Sequence, residues 1–202
     1  MKLYYTPLSH FARKVRILID AFKLDCEYIN VGNVAVSDPK VFANNPLMAV
    51  PVLVDRDQWI IDSNYIAEYL VRNYNVSDEF KMLTSKPHEL NVRAILDGVM
   101  ANEVKIVIAK RTGVPVDEYS FFEKSRLAIG HGLGWLEKNA ETFSDSILSY
   151  KEIHLICSLQ HLEKYQLVNL KDYPRLLSVV GGWAADIRIA ETDPKNIAAF
   201  KG

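Results

Sequence analysis

Val50-Pro51 and Asp62-Ser63 are the residues of this chain best placed to do chemistry, and that chemistry is the docking of a small acidic peptide. Pro51 opens the apolar run Val52-Leu53-Val54, and a proline has no amide hydrogen to give to a strand ladder. Val50, just before it, is pushed toward extended geometry and presents an unpaired backbone edge. Asp62-Ser63 leads into Ile66, Ala67 and Leu70 and reads as a helix start, whose first amides carry partial positive charge. An extended edge beside a helix N-terminus can hold a peptide by its backbone and an acid by the helix amides.

The elements that must position these residues follow from periodicity. Lys2 to Tyr5 reads as a strand, and Phe11, Val15, Leu18, Ile19 and Phe22 recur with the spacing of an amphipathic helix. Cys26 to Val31 is a second strand, and Ser37-Asp38-Pro39 starts a short helix. Pro51 to Val54 and Trp59 to Ile61 form a hairpin around Asp55-Arg56-Asp57-Gln58, and Ile66, Ala67, Leu70 and Tyr74 lay the next helix on the sheet. The order β-α-β-α-β-β-α predicts an α/β, thioredoxin-like domain over 1–77 with a mixed four-stranded sheet. Its first two strands are parallel through a right-handed crossover, and the hairpin is antiparallel.

After a linker at 76–86 the pattern becomes all-helical, and 84–202 reads as a helical bundle domain. Leu90, Ile95, Val99, Met100, Val104, Val107 and Ile108 run at helical spacing until Thr112-Gly113-Val114-Pro115. Tyr119 to Leu136 carries a second long helix. Ser149-x-x-Glu152 is a capping box before Ile153, Ile156 and Leu159. Tyr173-Pro174 opens a further helix running through Trp183 and Ile187, with Asp193-Pro194 after its end.

Asn45-Pro46-Leu47-Met48-Ala49-Val50-Pro51-Val52-Leu53 together with Asp62-Ser63 resembles the glutathione-binding half of the cytosolic glutathione S-transferases. The second half is similar too: Ser149-x-x-Glu152 stands where the family usually has Ser/Thr-x-x-Asp, and Tyr173-Pro174-Arg175-Leu176, Trp183 and Thr192-Asp193-Pro194 match its closing segment. The resemblance implies a cis bond before Pro51, backbone pairing of Val50 with the cysteine of glutathione, and Ser63 on the γ-glutamyl carboxylate. It implies Asp62 on the γ-glutamyl amino group, glutathione as co-substrate with no metal, and a homodimer. In related proteins an acid of the first bundle helix reaches across the dimer, and Asp97 is the corresponding candidate.

A transferase of this kind must make the bound thiol a thiolate near neutral pH, against a free thiol pKa of about 8.5. A hydroxyl donor and the amides of a helix start can together supply roughly two pKa units. Ser9 is the first candidate: it immediately precedes a helix, and Ser9-His10-Phe11-Ala12 occupies the place of C-P-F-A in cysteine-bearing branches, as in a bacterial, serine-type transferase. Serine there argues against a thiol-disulfide oxidoreductase, which needs its own cysteine. Tyr5 is the runner-up, and His10 is placed to polarise or contact the electrophile; otherwise His10 is an exposed helix-start histidine. Met100, Val104, Ile108 and Tyr119 are the expected lining of the electrophile pocket. Arg13 and Lys14 read as a solvated face.

With 24 basic against 25 acidic residues, the chain carries no electrostatic footprint for nucleic acid or an anionic membrane. No apolar run is long enough for a membrane span, the N-terminus enters strand and helix directly with no signal peptide, and a cytoplasmic location is expected. Cys26 and Cys157 form no metal or redox motif and read as inert buried thiols, while His154 and His161, seven apart on one helical face, read as surface or packing residues. The functional expectation is conjugation of glutathione to a small electrophile. Peroxide reduction or isomerisation by the same thiolate, and a non-catalytic interaction protein on the same fold, are the alternatives.

Overall fold

The computed structural model describes residues 1–75 and 77–197, so Val76 of the expected linker and the last five positions lie outside the described residues. The chain forms two compact units: Met1–Leu83 with the segment from Asp186 onward, and Thr84–Ala185.

In the first unit the elements are β1 (Lys2–Tyr5), α1 (His10–Ala21), β2 (Glu27–Asn30), β3 (Val52–Asp55), β4 (Gln58–Ile61) and α2 (Ser63–Tyr74). They build a four-stranded sheet in the order β2-β1-β3-β4. β1 and β2 are parallel, as a crossover through α1 requires, and β3 is antiparallel to both β1 and β4. The β3–β4 hairpin closes through Arg56 and Asp57 at φ 50° and 65°, the double positive φ of a tight turn whose twist matches that of the strands. Leu3, Leu53, Leu18, Ile66 and Leu70 have no exposed surface and form the core between the sheet and the two helices. The expected helix at Ser37-Asp38-Pro39 is a 3-10 turn, Pro39–Phe42, capped by the Asp38 carboxylate, which accepts from the Lys40 amide.

Asp55, at the end of β3, accepts hydrogen bonds from the hydroxyls of Tyr69 (2.8 Å) and Tyr74 (2.5 Å) of α2. Burial alone raises its carboxyl pKa, but the two hydroxyls outweigh burial and hold it below the usual value. A depressed carboxyl stabilises the fold above its unfolded pKa of about 3.9, and that contribution is lost as pH falls through the folded value. Tyr74→Phe is therefore expected to lower unfolding free energy by about 1.5 kcal/mol at pH 7 and by less near pH 3. Urea titrations of both proteins at the two pH values measure this, and a penalty that does not change with pH contradicts it.

The linker is ordered where described. Phe80 is 4% exposed and meets Phe22 edge-on, and the Asp78 carboxylate accepts from the amides of Met82 and Leu83. In the second unit, α3 (Pro87–Arg111), α4 (Ser120–Lys138), α5 (Tyr150–Tyr165) and α6 (Pro174–Gly182) form the expected bundle. α3 ends at Thr112, followed by Gly113 at φ +83°, a conformation that favours glycine. α5 is buried on all faces and carries the capping box: Glu152 accepts from the backbone amide and hydroxyl of Ser149.

Two expectations about the second half are corrected. The last long helix does not run through Trp183 to Ile187: α6 stops after Gly181-Gly182, and a separate short helix, α7 (Ile187–Ala190), restarts at Asp186, whose carboxylate accepts from the Arg188 amide. The segment beginning at Asp186 also packs with the first unit, so 84–202 is not a single body. The reason is Arg13 of α1, 2% exposed, whose Nε donates to Thr192 Oγ1 (2.9 Å) and whose Nη2 donates to the Ile189 carbonyl (3.0 Å). Among the described residues no helix is long and apolar enough to cross a membrane.

Candidate functional site

The cleft of interest lies at the start of β3. Val52 pairs with Tyr4 of β1 and Ile61 of β4, so Val50-Pro51 reaches the sheet end beside Asp62-Ser63. The Val50-Pro51 peptide bond is cis, and Pro51 is buried. Val50, Pro51, Ile61, Asp62 and Ser63 line the cleft together with Phe11, Asn45, Leu47 and Ala49. The sequence pattern therefore brings Val50, Pro51, Asp62 and Ser63 together.

Asp62 is the N-cap of α2. Its Oδ1 accepts from the amides of Asn64 (2.8 Å) and Tyr65 (3.3 Å), and its backbone sits at φ 69°, where a non-glycine residue is strained. Ser63 follows at 3% exposure as the first helical residue and lines the cleft. A carboxylate at this point meets a hydroxyl donor and the positive end of the helix dipole.

The loop that lines the cleft is held by Asn45, 2% exposed. Its Nδ2 donates to the Ala49 carbonyl (2.9 Å), its Oδ1 accepts from the Leu47 amide (3.0 Å), and its own carbonyl accepts from the Met48 amide (3.0 Å). These bonds fold the loop tightly enough to place Ala43, Asn44 and Met48 at positive φ. Asn45, Phe11, Leu47, Ala49 and Ile61 were not singled out as site residues from the sequence. The Asn45-Pro46 turn signal before an apolar run was the visible clue.

Ser9 is the N-cap of α1. Its Oγ accepts from the Ala12 amide at 3.2 Å, which leaves the hydroxyl hydrogen to donate elsewhere. It stands two residues before Phe11 of the cleft. His10 is buried at 2% exposure with its ring 4.6 Å from that of Phe11, not an exposed helix-start residue. Tyr5 packs edge-on against Tyr28 (5.8 Å between centroids) with the Arg16 guanidinium 5.0 Å from its ring. The Tyr28 hydroxyl donates to Asp20, so Tyr5 belongs to an aromatic and cationic cluster shared with β2 and α1.

Arg13 and Lys14 are not a solvated face. Lys14 has no exposed surface, its Nζ donates to Asn64 Oδ1 (3.2 Å), and it lies 5.6 Å from the centre of the Phe11 ring. The residue thus links α1 to the first turn of α2 behind the cleft. Cys157 is buried as expected, whereas Cys26 is only half-buried, though partial burial still pushes its thiol up to about 11.

In the second unit Met100, expected in the electrophile pocket, has no exposed surface, and its sulfur lies 2.9 Å from His154 Nε2. Val104 and Ile108, one and two turns further along α3, are half-buried, and Tyr119 is 53% exposed just before α4. Asp97 Oδ1 stands 3.3 Å from the same His154 nitrogen, so this acid engages α5 of its own chain. His154 and His161 are buried rather than superficial, and His161 Nδ1 lies 2.5 Å from Glu103 Oε1. Burial pushes the Glu103 carboxyl pKa up, against the pull of His161.

Residues 3–79 match the glutathione S-transferase N-terminal domain family. A curated relative, glutathione S-transferase 1 of Manduca sexta, is 37% identical over 100 residues, which take in 48% of this chain and 44% of the relative. The match thus spans less than half the length of that relative. Among solved structures, a glutathione S-transferase from Methylobacillus flagellatus with glutathione bound is 27% identical, with a TM-score of 0.79 over 96% of this chain and 98% of its own. A glutathione transferase family member from Pseudomonas fluorescens, bound to S-(propanoic acid)-glutathione, has a TM-score of 0.81 at 22% identity over 96% of this chain and 98% of its own. A maleylacetoacetate isomerase from Methylobacterium extorquens has a TM-score of 0.74 at 20% identity over 98% of both chains. Residues 3–79 thus match the glutathione S-transferase N-terminal domain family, and the chain has the fold of the glutathione S-transferases it resembles.

Proposed function

We propose that the protein is a glutathione transferase that activates the glutathione thiol as a thiolate for attack on a small electrophile. The observation that carries this reading is the meeting of the Val50-Pro51 edge with buried Ser63 at the N-terminus of α2. Val50 supplies main-chain hydrogen bonds to the cysteine residue of the tripeptide, and Ser63, at the positive end of the α2 dipole, receives the γ-glutamyl carboxylate. The Asp62 carboxylate faces the γ-glutamyl ammonium. Ser9, oriented by the bond it accepts from the Ala12 amide, donates its hydroxyl hydrogen to sulfur and favours the charged form. The thiolate then attacks an electrophilic carbon, a carbon–sulfur bond forms, and the leaving group departs with its electron pair.

The relative from Methylobacillus flagellatus, similar along nearly its whole length and solved with glutathione, supports the same co-substrate here. No metal is assigned a role in this chemistry. Trp59 on edge strand β4 and Tyr65 on α2, 52% and 67% exposed, suit a homodimer contact, and the reading includes action as a homodimer in the cytoplasm.

Ser63→Ala tests the binding half of the proposal. A hydrogen bond to a carboxylate contributes about 1.5–3 kcal/mol, so glutathione should bind roughly tenfold to a hundredfold more weakly by calorimetry. Retention of the native chain on immobilised glutathione with elution by free glutathione is expected. An unchanged affinity in the variant removes Ser63 from the site.

A further inference from the structure

We infer that Arg13 is a positioning residue for thiol activation: anchored to the segment that begins at Asp186, it holds the first turn of α1 and with it the Ser9 hydroxyl. The inference rests on the role proposed for Ser9. That serine is held by hydrogen bonds at its amide, its hydroxyl oxygen and its carbonyl. The amide donates to the Thr6 carbonyl (3.1 Å), Oγ accepts from the Ala12 amide (3.2 Å), and the carbonyl accepts from the Arg13 amide (2.9 Å). The last two bonds close the first turn of α1, and a terminal turn frays readily unless something beyond the helix holds it.

The Arg13 side chain supplies that hold. Its guanidinium is 2% exposed and reaches residues 176 and 179 positions away, donating from Nη2 to the Ile189 carbonyl and from Nε to Thr192 Oγ1. The anchor is itself tied down. The Thr192 hydroxyl donates to the Arg188 carbonyl (2.8 Å), which leaves its oxygen to accept from Arg13. On either side of Thr192, Asp186 caps α7 and the Asp193 carboxylate accepts from the Lys195 amide (2.8 Å). The first turn can therefore open only by drawing a buried guanidinium off two acceptors, and bonds from a charged donor are roughly twice as strong as neutral ones. The effect of Arg13 passes through its own backbone amide to Ser9 and needs no contact with the ligand.

Thr192→Val, matched in shape but without the acceptor, tests this by ultraviolet titration of glutathione bound at saturation. The apparent thiol pKa should rise by about half a unit, a roughly threefold smaller ratio of thiolate to thiol at a given pH, and Thr192→Ser should titrate like the native chain. Glutathione affinity at about pH 5.5, where the bound thiol is protonated, should stay within about twofold. In a Ser9→Ala background the same substitution should leave the thiol pKa unmoved, because the path runs through that hydroxyl. Arg13→Lys is the second variant: it keeps the charge, but one ammonium replaces the fork that spans two acceptors, and the same rise is expected. Both variants losing stability while the thiol titrates as in the native complex overturns the inference and leaves thiolate activation standing. So does a rise that persists in the Ser9→Ala background. A native complex that titrates like free glutathione overturns both.

Discussion

Glu152→Ala is expected to lower unfolding free energy by about 3–5 kcal/mol, because one buried carboxylate serves three donors and hydrogen bonds to charged groups are each worth roughly 1.5–3 kcal/mol before relaxation. Glu152 has no exposed surface. Its Oε2 accepts from the backbone amide (3.0 Å) and hydroxyl of Ser149, and its Oε1 accepts from the Ser144 amide (2.9 Å). The side chain therefore caps α5 and pins the loop before it. Glu152→Asp retains the charge but is one methylene shorter and cannot span both Ser144 and Ser149, so an intermediate loss is expected. Denaturant unfolding of the three proteins distinguishes this from a simple cap, for which alanine would cost about 1 kcal/mol.

The second large effect belongs to Glu103 and His161, both buried, with Oε1 and Nδ1 2.5 Å apart between α3 and α5. Removing one member of a buried ionisable pair typically costs about 3–5 kcal/mol, whereas replacing both by apolar residues is often near neutral. Glu103→Leu or His161→Leu alone should each be strongly destabilising, and the double variant should be less destabilised than the sum by about 2 kcal/mol or more. Additive losses in the double-mutant cycle would show that the two side chains act independently.

The N-terminal unit was legible because its signals are local. Period-two apolar runs, a proline at the head of β3, a charged hairpin turn and an Asp-Ser helix start each depend on a few neighbouring residues. The cleft residues on the strand and helix, Val50, Pro51, Asp62 and Ser63, were legible for the same reason. The lining loop was not, since Asn45, Leu47 and Ala49 matter through a loop fold held by one buried amide. Arg13 and Lys14 misled because charge on a helix suggests solvent. Yet Lys14 shares the face of Ile17 and Leu18, the buried stripe of α1, and Arg13 reaches backbone and hydroxyl partners at Ile189 and Thr192, which are remote in sequence. For His154 and His161 the sequence left surface and packing open, and packing is what α5, buried all round, provides; helical spacing alone cannot tell a buried polar face from an exposed one. The break at Gly181-Gly182 and restart at Asp186 was written in the chain, as a weak helix end followed by a capping acid, within a pattern whose apolar spacing continues.

The most direct test of the account follows the ultraviolet absorbance of the glutathione thiolate as pH is varied, with the tripeptide bound at saturation. The free thiol titrates near 8.5; in the native complex the apparent pKa should fall by about two units. Ser9→Ala should raise it again by roughly one unit with little change in glutathione affinity, since the hydroxyl acts mainly on charged sulfur. A shift caused by Tyr5→Phe but not by Ser9→Ala would transfer the role to the tyrosine, and a shift that survives both changes would assign it to the amides at the start of α1. A bound thiol that titrates at the free value in the native protein would contradict thiolate activation at this cleft.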